Sequence, residues 1–85
     1  MDQKFKQDME IGSTIRSLRM ERHLTQEQVV SKLQLMDLDI TRSIYSQIEG
    51  GTYSIRISVL VGLAKIFRVD FNTFFRNIQL PDTDQ

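Results

Sequence analysis

Apolar positions along this 85-residue chain recur at helical intervals in five stretches, separated by residues that cap or break a helix. Over residues 8–22, Ile11, Ile15 and Leu18 fall on one face with Arg16, Arg19 and Arg22 interleaved, which predicts a first helix. Gly12 either weakens that helix slightly or lets another helix come close. Thr25 follows as an N-cap, and Gln28 three residues later completes a capping-box pattern, with Leu24 and Val29 spaced as a hydrophobic staple. The second helix runs through Val29, Val30 and Leu33 to Leu35 or Met36, since no glycine or proline stops it. Asp37-Leu38-Asp39 is the break, and Asp39 or Thr41 caps a third helix over about 41–49. In that helix Ile44, Tyr45 and Ile48 form the apolar set, Arg42, Ser43, Ser46 and Gln47 lie mainly outside it, and Gly50-Gly51 ends it. Ile57, Leu60, Val61, Ala64 and Phe67 supply the stripe of a fourth helix, and Phe71, Phe74 and Phe75 predict a short fifth across one end of the core.

No segment alternates for long enough to form a sheet, and no internal repeat is apparent. The expectation is therefore an all-α domain of five helices spanning 9–78, between a flexible N-terminal segment, 1–8, and an acidic C-terminal tail, 79–85. With 85 residues and 40% hydrophobic composition, the chain fits one small domain with a modest core. Cysteine is absent, which excludes disulfides and thiolate ligands, and His23 is the sole histidine, expected in the turn before the second helix as an exposed or capping residue. A cysteine-histidine zinc site is excluded, and no glycine-rich phosphate loop or paired acid and base is visible, so neither an enzyme nor a cofactor is expected. The opening residues lack the apolar run of a signal peptide, and no stretch approaches the roughly 18 apolar residues of a membrane span. A cytoplasmic protein without membrane contact is the expectation.

Charge changes the picture only through its distribution. The chain carries 11 basic and 11 acidic side chains, but between Ile11 and Ile78 nine basic residues stand against six acidic ones. That surplus permits nucleic-acid binding without requiring it, because a helical adaptor would show much the same total. More telling are two hydroxyl-capped helix starts, Thr25-Gln26-Glu27-Gln28 and Thr41-Arg42-Ser43, each followed by long polar side chains. A helix start held out from a compact domain can present side chains to base edges while its backbone amides meet phosphates.

Four segments together are specific: Ile11-Gly12 with Ile15-Arg16 and Leu18-Arg19; Leu24-Thr25-Gln26-Glu27-Gln28; Ile40-Thr41-Arg42-Ser43-Ile44-Tyr45-Ser46-Gln47-Ile48-Glu49-Gly50; and Leu63-Ala64-Lys65-Ile66-Phe67-Arg68-Val69. Over 11–75 the chain resembles the Cro and phage-repressor class of helix-turn-helix proteins, the Xre family. The resemblance implies a compact five-helix lambda-repressor-like domain and a sequence-specific transcriptional regulator of double-stranded operator DNA, expected as a repressor and as a homodimer. It implies that Gln26 clamps a phosphate with Thr25 and the adjacent amides, that Arg42, Ser43 and Gln47 read bases with Ser46 beside them, and that Arg19 and Glu49 form a structural salt bridge. The chemistry agrees, since arginine suits guanine O6 and N7 and glutamine suits adenine N6 and N7. Lys32 and Arg56 either extend the phosphate-facing surface or are solvated charges.

The chain departs from the family in three places. An extended turn, Gln34-Leu35-Met36-Asp37-Leu38-Asp39-Ile40-Thr41, replaces the family's short one, Tyr45 stands at a usually smaller aliphatic position, and Arg68 replaces the usual glycine after the fourth helix. Leu35, Met36, Leu38 and Ile40 are expected to pack and set the angle of the third helix. The competing reading makes Leu35, Met36 and Leu38 the interface of a non-enzymatic protein-interaction adaptor or antitoxin-like partner. For a DNA-bound regulator, RNA polymerase or a protein regulator is a further partner. Val69, Phe71, Phe74, Phe75 and Ile78 either supply the dimer contact or are used up in the monomer core.

Overall fold

Side-chain caps set where three of the helices begin. Thr25 Oγ1 accepts from the Gln28 amide at 3.1 Å while Gln28 Oε1 accepts from the Thr25 amide at 2.8 Å, closing the capping box in both directions. Thr41, the alternative to Asp39, is the cap of the third helix, its Oγ1 accepting from the Ile44 amide at 3.1 Å. Asp70 caps the fifth through the Thr73 amide at 3.2 Å. The computed structural model describes residues 4–5 and 11–76. Its helices are α1 (Ile11–Glu21), α2 (Gln26–Leu35), α3 (Arg42–Glu49), α4 (Ile57–Phe67) and α5 (Phe71–Phe74), as the five apolar periods require. Any start of α1 before Ile11, Ile78 and the acidic tail at 79–85 lie outside the described residues.

Lys4–Phe5, assigned above to a flexible segment, forms a two-residue strand, β1, pairing antiparallel with β2 (Ile55–Arg56), Lys4 opposite Arg56 and Phe5 opposite Ile55.

The core gathers Ile15 and Leu18 from α1, Val29 and Leu33 from α2, Ile40 from the connection, Ile48 from α3, and Leu60, Leu63 and Phe67 from α4, with Phe74 closing one end. α1 packs on α3 with almost no space between backbones: a Cβ built on Gly12 would lie 2.4 Å from the Ile48 carbonyl oxygen and 2.7 Å from that of Glu49. Glycine is therefore required there by close approach. The buried stripe of α4 is Val59, Leu60, Leu63 and Phe67, and Val61 is exposed instead of sharing it, because it lies two residues, about 160° around the helix, from both Val59 and Leu63. Of the C-terminal phenylalanines, Phe74 is fully used in the core, whereas Phe71 and Phe75 remain partly exposed.

The extended connection between α2 and α3 is anchored at several points. Asp37 takes a left-handed conformation, φ 63°, and the Leu38 amide bonds back to the Leu33 carbonyl at 3.1 Å. Gln34 Nε2 donates to the Ile40 carbonyl and Arg56 Nη2 to that of Asp39, each at 3.0 Å. Ile40 is buried and Leu38 half-buried against the core. Leu35 corrects the expectation that all four apolar residues pack: it is 86% exposed, because two residues beyond the buried Leu33 it is rotated by about 200° to the far side of α2. Met36 packs in part, 39% exposed with its sulfur beside Gly62 of α4.

Candidate nucleic-acid interface

The amphipathic division of α3 orients its polar side chains. Tyr45, Ile48 and Glu49 are buried, and Arg42, Ser43, Ser46 and Gln47 are exposed, so the four residues named for base reading share one accessible surface. The N-termini of α2 and α3 adjoin, since Arg42 Nε donates to Gln26 Oε1 at 3.2 Å and Arg42 Nη1 to Glu27 Oε2 at 3.2 Å. Each cap takes the N3 amide, which leaves the Gln26 and Glu27 amides of one helix and the Arg42 and Ser43 amides of the other without an acceptor among the described residues. Two positive helix ends therefore converge beside the exposed face of α3.

A chain of hydrogen bonds fixes that convergence to the core. Arg19 makes a two-point contact with Glu49, Nε to Oε2 at 2.7 Å and Nη2 to Oε1 at 3.1 Å, and its Nη1 donates to the Leu24 carbonyl at 2.9 Å. Gln26 Nε2 donates to Glu49 Oε1 at 3.0 Å, so Gln26 links the ion pair to Arg42. Burial alone pushes the Glu49 carboxyl up. The Arg19 hydrogen bonds, the neighbouring Tyr45 hydroxyl and the Gln26 amide more than offset this, and Glu49 is held below the ordinary carboxylate range. The hydrogen bond to Glu49 raises Arg19 against the opposing effect of burial. Tyr45, fully enclosed beside both charges, is pushed up chiefly by burial, and its hydroxyl has no partner of good hydrogen-bond geometry.

The remaining residues named from the sequence fall in different places. Thr25 stands at the start of α2 with its hydroxyl committed to the capping box. Arg56 is half-buried and holds the Asp39 carbonyl, bracing the connection that leads into α3. Lys32 lies along α2 and lines two depressions, one with Thr25, Glu27 and Gln28 towards the start of the helix and one with Leu35, Met36 and Lys65 towards its end. Sequence reasoning missed the Gln26–Glu49 and Arg42–Glu27 contacts, which depend on how closely two helix ends approach. It also missed Arg22, whose Nε donates to the Phe67 carbonyl at the end of α4 at 2.6 Å, and Arg76, which meets Glu21 at 3.0 Å. Among the described residues no group of three histidines, cysteines or carboxylates could hold a metal, and no helix is long and apolar enough to cross a membrane.

A capped α2, a connecting segment and an α3 with an exposed polar face, braced by α1 and α4, define a helix-turn-helix domain. A family profile described as a helix-turn-helix domain matches residues 12–80, and the chain belongs to that family. Comparison with curated proteins and with solved structures gives no match.

Proposed function

We propose that the protein is a sequence-specific regulator of the Cro and phage-repressor type, which binds double-stranded operator DNA in the cytoplasm by laying α3 in the major groove. The observation that carries this reading is the single exposed surface shared by Arg42, Ser43, Ser46 and Gln47 beside two converging helix N-termini. Arg42 and Gln47 have the donors and acceptors that distinguish guanine and adenine edges, while Ser43 and Ser46 are short enough to touch a base or a phosphate. Gln26 and the free amides of both first turns suit a phosphate, with Thr25 holding the α2 start in shape. Arg42 is shared with Glu27 through an exposed ion pair worth no more than about 1 kcal/mol, so DNA can take it over readily.

A single recognition helix reads few base pairs, so the reading includes a homodimer on two half-sites about 34–36 Å apart. Phe71 and Phe75 retain exposed surface for such a contact. Occupancy of an operator gives repression, and contact of the bound protein with RNA polymerase would give activation.

Selection from a random duplex library, followed by titration of the winner and a scrambled duplex at one salt concentration, tests the proposal. Arg42→Ala and Gln47→Ala should each remove about 1–3 kcal/mol of discrimination, and Gln26→Ala should weaken both duplexes evenly. Equal affinity for both duplexes, unmoved by Arg42→Ala and Gln47→Ala, would reject base reading and favour the adaptor. Sedimentation with and without the selected duplex tests assembly, and a one-to-one complex on a single half-site would reject the dimer.

A further inference from the structure

The C-terminal end of α2 and the outer face of α4 enclose a surface that the DNA-binding reading leaves unused. A groove of about 590 Å³ runs between Met36 and Leu38 on one side and Val61 and Lys65 on the other, with Gly62 at its floor. A second, of about 340 Å³, shares Met36 and Lys65 with it and extends to Leu35, Lys32 and Arg68, so the two are continuous. Gly62 makes the concavity possible: a Cβ there would lie 2.9 Å from Leu38 Cδ1 and 3.0 Å from Leu33 Cδ2. Leu35 is 86% exposed, Met36 39% and Val61 36%. One exposed leucine is unremarkable, but apolar side chains gathered along one groove mark an interaction surface.

Charge decides what fits. Arg19, Arg22, Arg42 and Arg76 each meet a glutamate. Lys32, Lys65 and Arg68 form no ion pair among the described residues, the lining of both grooves contains no carboxylate, and Glu27, which lines a separate depression with Lys32, is engaged by Arg42. An apolar trough rimmed by three uncompensated cations is complementary to large apolar side chains set among carboxylates. A concave trough also suits inserted side chains better than it suits a flat lipid surface.

We infer that this groove docks an acidic segment of a partner protein, with leucine- or phenylalanine-sized anchors in the trough and Asp or Glu against Lys32, Lys65 and Arg68. The surface shares no residue with the α3 face, so a partner can be held while DNA is bound.

The test is selection of a random peptide library on the immobilised full chain, with Leu35→Glu and Lys65→Glu variants as counter-targets, each checked for unchanged helix content and urea midpoint. Selected peptides should carry Asp or Glu around bulky apolar residues and should lose affinity about tenfold or more on either variant. Raising the salt concentration should weaken them further. Nuclear magnetic resonance shifts on peptide addition should centre on Leu35, Met36, Val61 and Ile66. Peptides without acidic enrichment, or indifferent to both substitutions, would overturn the inference. So would concentration-dependent self-association abolished by Leu35→Glu, which would make the occupant a second copy, or binding to anionic vesicles lost with Lys65→Glu. Duplex titration of the same variants reports separately on the α3 reading.

Discussion

Replacing Arg19 with methionine isolates the energetic role of the Arg19–Glu49 pair. The side chains are 13% and 3% exposed, which places the pair among desolvated ion pairs and not among surface ones. Loss of the guanidinium leaves the Glu49 carboxylate enclosed with only the Gln26 amide as a strong donor, and also strips the Leu24 carbonyl of a donor. Breaking one side of such a pair costs about 3–5 kcal/mol, against 0–1 kcal/mol for an exposed pair. A domain of this size has a total stability of roughly 4–13 kcal/mol, so the loss is a large share of it. In urea, with an m-value near 1.5 kcal/mol per molar, the midpoint should fall by roughly 2–3 M.

The double variant Arg19→Met/Glu49→Leu removes both charges and should recover most of that loss, giving a favourable coupling energy in a double-mutant cycle. Acid provides a second reading. Because the folded Glu49 carboxyl lies below its ordinary value of 4.5, the stability it contributes is fully present above that value and is lost as pH falls through the depressed folded value. The advantage of the wild type over Arg19→Met/Glu49→Leu should therefore shrink below about pH 4.5 and be flat above it. A loss under about 1 kcal/mol in Arg19→Met, or a pH-independent difference, would refute the account of a buried, coupled pair.

Gly12→Ala should destabilise by about 1–3 kcal/mol in urea, since its Cβ would lie 2.4 Å from the Ile48 carbonyl oxygen, whereas Gly50→Ala, whose nearest contact is 3.5 Å, should change little. Arg68→Gly should raise the melting midpoint by relieving a left-handed residue with φ 59°, a gain of up to about 1 kcal/mol; a fall would show that the Arg68 side chain contributes more than its backbone costs. On the DNA-binding reading, Glu27→Gln should tighten binding to any duplex by freeing Arg42 and removing a carboxylate, as fluorescence anisotropy would measure, with stability changed by no more than about 0.5 kcal/mol.

The helix starts were legible because capping is local: Thr25 with Gln28, and Thr41 before an apolar set, encode geometry within three residues. Gly12 was legible only as an alternative between helix weakness and close approach, which needed the position of α3 to decide. The orientation of α4 is only partly legible, since Val61 satisfies a helical spacing yet lies exposed, and a mostly apolar helix carries a weak directional signal. Two-residue β1 and β2 lie below what alternation can reveal. At the candidate interface, the exposure of Arg42, Ser43, Ser46 and Gln47 followed from the apolar phase of α3, but their connection to Arg19 through Gln26 and Glu49 is a matter of tertiary distance. Tyr45 was recognised as an unusual occupant of its site, while the placing of its hydroxyl beside the ion pair was not readable.

The anchored connection between α2 and α3 also bears on the thermodynamics of association. A longer link between two helices ordinarily implies freedom that a ligand must quench, with an entropy loss of about 1–2 kcal/mol for each residue it orders. Here Leu38 and Ile40 sit against the core and the Ile40 and Asp39 carbonyls are held by Gln34 and Arg56, so that ordering accompanies folding. Binding through α3 should consequently show a heat-capacity change set by the surface it covers, without the larger signature of a segment that folds on contact.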